Sequence, residues 1–154
     1  MAGEQRIRAL SVVRACVSCV VAVVLIYAAS VHLNNPYAFL SKVYSYDILS
    51  EELGYAAAIL TPSMQLTVGI GLVAFPKFHR PCFALAGLLL FAFALAQSSA
   101  HFRGLNIACG CFSAGDNNPI SEFTIMRSFG LSVLCLVGLM LAQFQRLGVV
   151  AHES

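Results

Sequence analysis

Residues 82–100 read CFALAGLLLFAFALAQSSA and carry no charged side chain over nineteen positions. A helix that crosses a lipid bilayer needs roughly 17–25 mainly apolar residues, and this run is long enough. Three further apolar runs cover residues 12–33, 56–75 and 127–145. None of the four alternates between apolar and polar positions as a membrane strand does. The sequence therefore predicts four membrane-spanning helices.

The composition agrees with a membrane protein. Of the 154 residues, 59% are hydrophobic and 10% are charged, whereas a soluble domain carries about 25% charged residues. The formal net charge of +2 is too small to indicate nucleic-acid binding, and the chain has no phosphate-binding glycine loop. We expect one all-α domain, residues 1–154, folded as a polytopic four-helix bundle in the lipid bilayer.

The basic residues predict how this bundle is oriented. Cytoplasmic loops carry an excess of Lys and Arg. Six basic residues fall on one side of the predicted membrane and three on the other, which also holds most of the acids. The six are Arg6, Arg8, Arg14, Lys77, Arg80 and Arg146, and the three are Lys42, Arg103 and Arg127. Both termini are therefore predicted to be cytoplasmic, in the inner membrane of a bacterial cell.

An amphipathic segment follows the first run. Asn34-Asn35-Pro36 ends the first helix, and residues 36–44 combine apolar and polar positions with several aromatic side chains. Aromatic residues favour the boundary between membrane and water. Two interpretations stay open: a short helix on the outer surface, or a loop with boundary aromatics.

The connection between the third and fourth runs contains Cys109-Gly110-Cys111. Cysteines two residues apart can form a disulfide, because an extended link brings their α-carbons within bonding range. The small ring is strained unless the middle residue is flexible, and Gly110 supplies that freedom. Strained, exposed disulfides tend to be labile and oxidising. The predicted periplasmic location permits disulfide formation.

Three residues near this pair could support its chemistry. A positive neighbour lowers the pKa of a cysteine thiol, and Arg103 precedes the pair while Arg127 begins the fourth predicted helix. The start of that helix adds a partial positive charge. His101 is a candidate proton acceptor. We therefore interpret Cys109 and Cys111 as a thiol–disulfide centre that Arg103, His101 and Arg127 assist.

Other chemistry remains possible for the cysteines. His101 with Cys109 and Cys111 would give a metal three ligands, but the sequence offers no obvious fourth. The pair could also be an inert disulfide or two idle thiols. Cys16-Val17-Ser18-Cys19 has redox spacing, but inside a membrane helix these cysteines are expected to be apolar fillers.

Two glutamines stand out within the apolar runs. Gln65 follows Thr61-Pro62 in the second run and is costly at that depth, so it should face the bundle interior. It serves either a pocket or a hydrogen bond between helices. Gln97 belongs to a polar group, Gln97-Ser98-Ser99, that ends the third run.

The chain resembles the methylamine utilisation protein MauE family, which is related to DoxX-like four-helix membrane proteins. The resemblance is carried by Pro36 to Phe39, Leu60-Thr61-Pro62, Arg103-Gly104, Cys109-Gly110-Cys111-Phe112 and Arg127. It covers nearly the whole chain, and its most specific part is the cysteine motif. Two positions depart from the family pattern: Ser113 stands where glycine is frequent, and Gln65 stands where an acidic residue is frequent.

The resemblance implies a function in the maturation of a disulfide-rich enzyme such as methylamine dehydrogenase. Members of the family look like membrane partners of periplasmic thioredoxin-like proteins such as MauD. The architecture is also similar to that of DsbB and vitamin K epoxide reductase, which couple a cysteine pair to quinone. By that analogy Gln65, Gln97 and His101 are the expected polar contacts of a quinone.

These implications leave two leading hypotheses and one minor one. Cys109 and Cys111 could exchange electrons with a thioredoxin-like partner, which would make the protein a thiol–disulfide oxidoreductase. The alternative is a non-enzymatic membrane subunit that assembles a respiratory or maturation complex. A small-molecule carrier is a third class, disfavoured because the runs contain no deeply placed charge.

Overall fold

The computed structural model describes residues 2–48, 50–105 and 122–153, and it places the side chains of residue 5 and of residues 8–48, 50–105 and 122–144. Cys109 and Cys111 lie outside the described residues. All the regular structure within these ranges is helical.

Five α-helices and one 3₁₀ turn follow one another along this part of the chain. They are α1 (Ala2–Asn34), α2 (Pro36–Ser45), α3 (Glu51–Ala74), the 3₁₀ turn Pro76–Phe78, α4 (His79–Phe102) and α5 (Glu122–Glu153). Helices α1, α3, α4 and α5 each contain a span long and apolar enough to cross a membrane. This confirms the predicted all-α, multi-pass membrane architecture.

The helices extend beyond the predicted apolar runs at nearly every end. The fourth run was predicted from residue 127, for example, whereas α5 begins at Glu122. Apolar composition reports which residues suit the lipid interior, while backbone hydrogen bonding continues into the polar flanks. The predicted spans were therefore correct in number and order but too short.

The four spanning helices form a closed ring. Helix α1 packs most extensively on α3, and α4 packs most extensively on α5; contacts of α1 with α5 and of α3 with α4 complete the bundle. The core between them contains Val21, Leu25, Leu72, Phe83 and Cys135. Each of these side chains is almost completely buried.

The contact between α4 and α5 is especially close at Gly138. A Cβ atom at this position would lie 2.5 Å from Cε1 of Phe83, and the Phe83 ring is only 1% exposed. A small residue at a helix crossing lets two backbones approach. Gly138 thus makes room for the largest fully buried side chain of the core.

The outer faces of the spans are apolar as well. Large side chains such as Val23, Leu88 and Met140 are more than half exposed. A surface of this kind would be unfavourable in water but suits lipid chains. It agrees with the bilayer environment that the helix lengths indicate.

Helix α2 corresponds to the predicted amphipathic segment and decides in favour of a helix rather than a loop. Pro36 lies in its first turn, where a proline is well tolerated. Phe39 is buried against the bundle, whereas Tyr37 on another face is 85% exposed. We call the end of the bundle that carries α2 the α2 end, and the opposite end, at the 3₁₀ turn between α3 and α4, the hairpin end.

Candidate functional site

The connection between α4 and α5 begins and ends at the α2 end of the bundle. Helix α4 finishes at Phe102 and α5 starts at Glu122. The predicted centre, Cys109 and Cys111, lies in the sequence between these two points but outside the described residues. The described residues that border it are Leu105 and Glu122.

Arg103, at the end of α4, is bound to the connection between α2 and α3. Its Nη1 donates to the carbonyl oxygens of Tyr46, at 2.9 Å, and Asp47, at 3.4 Å. Its Nη2 lies 3.4 Å from Oδ2 of Asp47. The guanidinium predicted to stabilise a thiolate thus holds a neighbouring loop.

The loop that Arg103 holds has an unusual backbone. Asp47 has φ of +49°, a left-handed conformation that Asp and Asn adopt more readily than most residues. Gly104, directly after Arg103, has φ of +66°. Two left-handed positions therefore flank the contact between the end of α4 and the start of the α2–α3 connection. Sequence reasoning missed Tyr46 and Asp47, because carbonyl acceptors have no sequence signature.

His101 lies in the last turn of α4 and is exposed. Its ring meets that of Phe102 edge-on, with centroids 6.3 Å apart. This exposure leaves it accessible as the predicted proton acceptor. His101 follows Gln97 by one helical turn on the same face of α4, but its side chain is exposed whereas that of Gln97 is buried.

Gln97 is completely buried between α4 and α5. The hydroxyl of Ser128 donates to Oε1 of Gln97 at 2.9 Å, and the Thr124 carbonyl oxygen lies 3.2 Å from the same hydroxyl. Ser132, one turn further along α5, donates to the carbonyl oxygen of Gly87 at 3.2 Å. Gln97 is thus part of the hydrogen bonding between two helices.

Gln65 on α3 faces the bundle interior as predicted and is 3% exposed. Its Oε1 atom is buried and has no hydrogen-bond partner within the described ranges. Of the two predicted roles, a pocket residue or an interhelix hydrogen bond, Oε1 therefore does not perform the second within the described ranges. A buried oxygen of this kind calls for an explanation.

The two glutamines lie at different depths in the membrane. A Cβ atom at Gly71 of α3 would lie 2.8 Å from Sγ of Cys82 on α4, which fixes the register of these antiparallel helices. Gln65 is six residues from that contact and Gln97 fifteen, so Gln97 lies roughly 13 Å closer to the α2 end along the bundle axis. Gln65, Gln97 and His101 are therefore not gathered around one small group.

Arg127 does not begin the fourth spanning helix, contrary to the prediction. Helix α5 starts five residues earlier, at Glu122, and Arg127 is partly buried in its second turn. The partial positive charge of a helix start fades within the first turn, so it belongs to the region of Glu122. The prediction placed the start too late because residues 122–126 are more polar than the run that follows.

His32, which the sequence did not single out, contacts Phe39 of α2. His32 near the end of α1 is 3% exposed, and its ring lies 3.9 Å from that of Phe39, centroid to centroid. Its Nε2 atom is buried without a hydrogen-bond partner in the described part of the chain. The sequence feature that could have identified His32 is its position as a histidine at the end of an apolar run.

A cavity of about 310 Å³ lies between α2, α3 and α4. Phe39 and Lys42 of α2, Thr61 of α3 and Phe93 of α4 contribute to its largely apolar wall. None of the three predicted quinone contacts is among the described lining residues. The cavity would suit an apolar chain better than a polar ring.

The remaining cysteines separate into two groups. Cys135 is fully buried in the core, as expected for a packing residue. Cys16 and Cys19, by contrast, are exposed on the outer face of α1, so they do not fill the bundle interior as predicted. In a CxxC motif on a helix the two cysteines are nearly one turn apart and share a face. On α1 the face that carries Cys16 and Cys19 points away from the core.

The sequence profile of the methylamine utilisation protein MauE family matches residues 10–141. The chain belongs to this family. The methylamine utilization protein MauE of Paracoccus denitrificans is 32% identical to it over 116 residues, which cover 75% of this chain and 62% of that relative. No solved structure matches the chain.

The MauE match includes most of the four spans and the whole connection with Cys109 and Cys111. It confirms the family that the cysteine motif, the α3 proline and the order of the helices indicated. Membership in the MauE family and four apolar spans together identify a multi-pass membrane protein.

Proposed function

We propose that this MauE-family protein is the membrane component of a thiol–disulfide exchange that serves methylamine utilisation. A disulfide between Cys109 and Cys111 accepts two electrons and two protons from the dithiol of a thioredoxin-like partner. The partner leaves with a disulfide, and Cys109 and Cys111 become thiols. The reverse exchange balances equally, and its direction depends on the two reduction potentials.

The observation that carries this proposal is the topology of the α4–α5 connection. Both of its ends lie at the α2 end of the bundle, and the two cysteines fall in the sequence between the third and fourth spans rather than within either of them. Gly110 between the cysteines provides the flexibility that a short disulfide ring needs. The printed name of the Paracoccus denitrificans relative supports methylamine utilisation as the process.

The proposed location is the bacterial inner membrane, with Cys109 and Cys111 on the periplasmic side. Among the placed side chains, four basic residues lie at the hairpin end and three at the α2 end. The four are Arg8, Arg14, Lys77 and Arg80, and the three are Lys42, Arg103 and Arg127. This distribution supports a cytoplasmic hairpin end and a periplasmic partner, similar to MauD, at the α2 end.

The residues predicted to hold a quinone do not fit one quinone ring. Gln97 already bonds with Ser128, Gln65 lies roughly 13 Å deeper, and His101 is exposed. The proposed reaction therefore ends with the exchange between protein dithiols and disulfides. Quinone as the second electron carrier stays a prediction.

One observation favours the alternative function, a non-enzymatic assembly subunit. Arg103, the residue predicted to activate a thiolate, is bound to Tyr46 and Asp47 instead. A subunit that only docks other proteins would use such a contact to present a shaped surface. The two functions differ in whether the sulfur atoms are needed.

The proposal is tested by trapping the exchange intermediate. A thioredoxin-like partner whose second cysteine is replaced by serine keeps the mixed disulfide that it forms. We expect this species in membranes with the natural chain and with Cys19→Ser, which removes an exposed cysteine on α1. The double variant Cys109→Ser/Cys111→Ser should lose it.

Two results decide between the functions. A mixed disulfide that persists in the double variant rules out the proposed exchange. If the double variant also supports growth on methylamine while Gly138→Val, which disturbs the α4–α5 contact, does not, the protein is an assembly subunit.

A further inference from the structure

Three polar side chains at the hairpin end have buried atoms without a hydrogen-bond partner. These atoms are Nε of Arg14, Oγ of Ser18 and Nδ1 of His79. No hydrogen-bond partner for any of them lies within residues 8–48, 50–105 and 122–144, whose side chains the structure places. Ser18 is 3% exposed and His79 is 6% exposed. A buried polar group left unpaired in a membrane is strongly unfavourable, so three at one end are suited to binding a polar ligand.

The three residues form one group, which we call the hairpin-end cluster. Ser18 follows Arg14 by four residues and lies on the same face of α1. The positive charge of Arg14 acts electrostatically on His79 at the start of α4. The ring of His79 hydrogen-bonds to the backbone of Leu72 and meets the ring of Phe83 edge-on at 6.0 Å.

The cluster lies next to the core, on the side of the hairpin end. Val17, next to Ser18, packs with Leu72 and Phe83 in the same apolar group. His79 touches that group from the side of the 3₁₀ turn. The cluster therefore lies at the hairpin-end margin of the core, among the ends of α1, α3 and α4.

The chemistry of the cluster selects an anion that carries oxygen atoms. Arg14 can only donate, Ser18 can donate, and His79 can donate or accept. The acidic side chains that the structure places are Asp47, Glu51, Glu52 and Glu122, and they belong to the α2 end. No carboxylate among the placed side chains can therefore neutralise Arg14.

We propose that the hairpin-end cluster binds the phosphate group of an anionic phospholipid. Phosphate oxygens accept from the Arg14 guanidinium and the Ser18 hydroxyl, and charge-assisted hydrogen bonds of this kind are among the stronger ones in proteins. His79 completes the contact by donating to a phosphate oxygen or by accepting from a headgroup hydroxyl.

The position of the cluster explains why a lipid supplies this phosphate. Arg14 lies at the start of the first apolar run, residues 12–33, and His79 lies within one turn of the start of the α4 span. These depths match the headgroup region of a bilayer. Arg80 adds positive charge in the adjacent hairpin, and basic pockets between membrane helices commonly bind anionic lipids.

The test uses the full chain purified in a neutral detergent and titrated separately with phosphatidylglycerol, phosphatidylcholine and inorganic phosphate. Binding is measured by native mass spectrometry and by the shift in thermal unfolding. We expect phosphatidylglycerol to bind at least tenfold more tightly than phosphatidylcholine, a ratio typical of one strong charge-assisted contact. Inorganic phosphate that protects as well as phosphatidylglycerol would assign the site to free phosphate instead.

Two variants and one control separate the cluster from a general effect of charge. Arg14→Gln should weaken phosphatidylglycerol binding about tenfold, and Ser18→Ala about threefold. Lys77→Gln removes one positive charge at the same end from an exposed side chain and should change binding little. If Arg14→Gln fails to fold, Ser18→Ala still tests the cluster, because this substitution removes only an unpaired hydroxyl.

Either of two results overturns the proposal. Equal binding of phosphatidylglycerol and phosphatidylcholine, without an effect of inorganic phosphate, would mean that the cluster does not recognise the phosphate anion. Equal losses in Ser18→Ala and Lys77→Gln would mean that the anion is attracted only by the net charge of the hairpin end.

Discussion

The buried polar side chains divide the bundle into two unlike halves. Between α4 and α5, Gln97 pairs with Ser128, and Ser132 pairs with the backbone of Gly87. On α1 and α3, by contrast, Ser18, His32 and Gln65 each have a buried atom without a partner in the described residues, and the same holds for Nδ1 of His79 at the hairpin end of α4. All of these side chains are at most 6% exposed.

The difference indicates which half is open to ligands. A paired polar group stabilises a helix contact, and adding a ligand there would first require breaking a hydrogen bond. An unpaired group gains from any suitable partner. We infer that the hydrogen-bonded contact between α4 and α5 acts as scaffold, while the unpaired groups on α1, on α3 and at the start of α4 are available to bind other molecules.

The largest effect that tests this comparison is expected at Gly138. In Gly138→Ala the new Cβ lies 2.5 Å from the enclosed Phe83 ring, so the α4–α5 contact must shift, and we expect a loss of about 1–3 kcal/mol in the free energy of unfolding. Gly130→Ala on the same helix is the control, because no heavy atom lies within 4 Å of its Cβ. Unfolding in detergent measures both.

Gly69→Ala is the matching change in the α1–α3 half. Its Cβ would lie 2.8 Å from Cγ1 of Ile26, the nearest heavy atom, and the partly exposed Ile26 side chain can move toward lipid. We therefore expect a smaller loss than for Gly138→Ala. An equal or larger loss would contradict the view that the α4–α5 half is the more rigid one.

A pair of glutamine substitutions tests the hydrogen bonds directly. Gln97→Met removes the acceptor of Ser128 and should cost about 0.5–1.5 kcal/mol of unfolding free energy, the range of hydrogen bonds between membrane helices. Gln65→Met removes an oxygen without a visible partner and should be neutral or slightly stabilising. Both variants replace glutamine with methionine, so their unfolding free energies can be compared directly. A larger loss for Gln65→Met would reveal a partner outside the described residues.

The sequence was informative about the fold because membrane insertion is a property of whole runs. Nineteen uncharged residues from Cys82 to Ala100 must form a helix in lipid, since every backbone group needs an internal partner. For residues 36–44, Pro36 and the aromatic residues after it left a helix and a loop open, and the structure shows the helix α2. The ends of the helices were less predictable: nothing in the composition of residues 122–126 distinguishes a helical turn from a loop.

The candidate site was less predictable, because its contacts join distant parts of the chain. Arg103 and Asp47 are 56 residues apart, and no local pattern shows that the arginine reaches the α2–α3 connection rather than a sulfur. Gln97 and Gln65 looked equivalent in the sequence, yet only the fold reveals that one faces Ser128. The disulfide chemistry of Cys109 and Cys111 stays a prediction.

Arg103→Gln distinguishes the two roles of this arginine and should have a moderate effect. The structure leads us to expect faster amide hydrogen exchange in residues 43–48 and a loss of about 1 kcal/mol, because the carbonyl of Tyr46 loses its donor. If Arg103 instead stabilised a thiolate, the alkylation rate of Cys109 or Cys111 would fall while exchange in the loop stayed the same. Lys77→Gln at the hairpin end is the control for removal of a positive charge.

The smallest effect is expected for Asp47→Asn, which separates the ion pair from the backbone hydrogen bonds. The Asp47 side chain is 85% exposed and its oxygen lies 3.4 Å from Arg103, a geometry in which a surface ion pair contributes at most about 0.5 kcal/mol. Asn also tolerates the left-handed backbone of this position, so no strain is added. We therefore expect hydrogen exchange in residues 43–48 to stay nearly unchanged. Hydrogen exchange as fast as in Arg103→Gln would contradict this expectation. It would show that the charge of Asp47, rather than the carbonyl oxygens of Tyr46 and Asp47, keeps Arg103 in place. Hydrogen exchange in the loop would then become faster as added salt screens that charge.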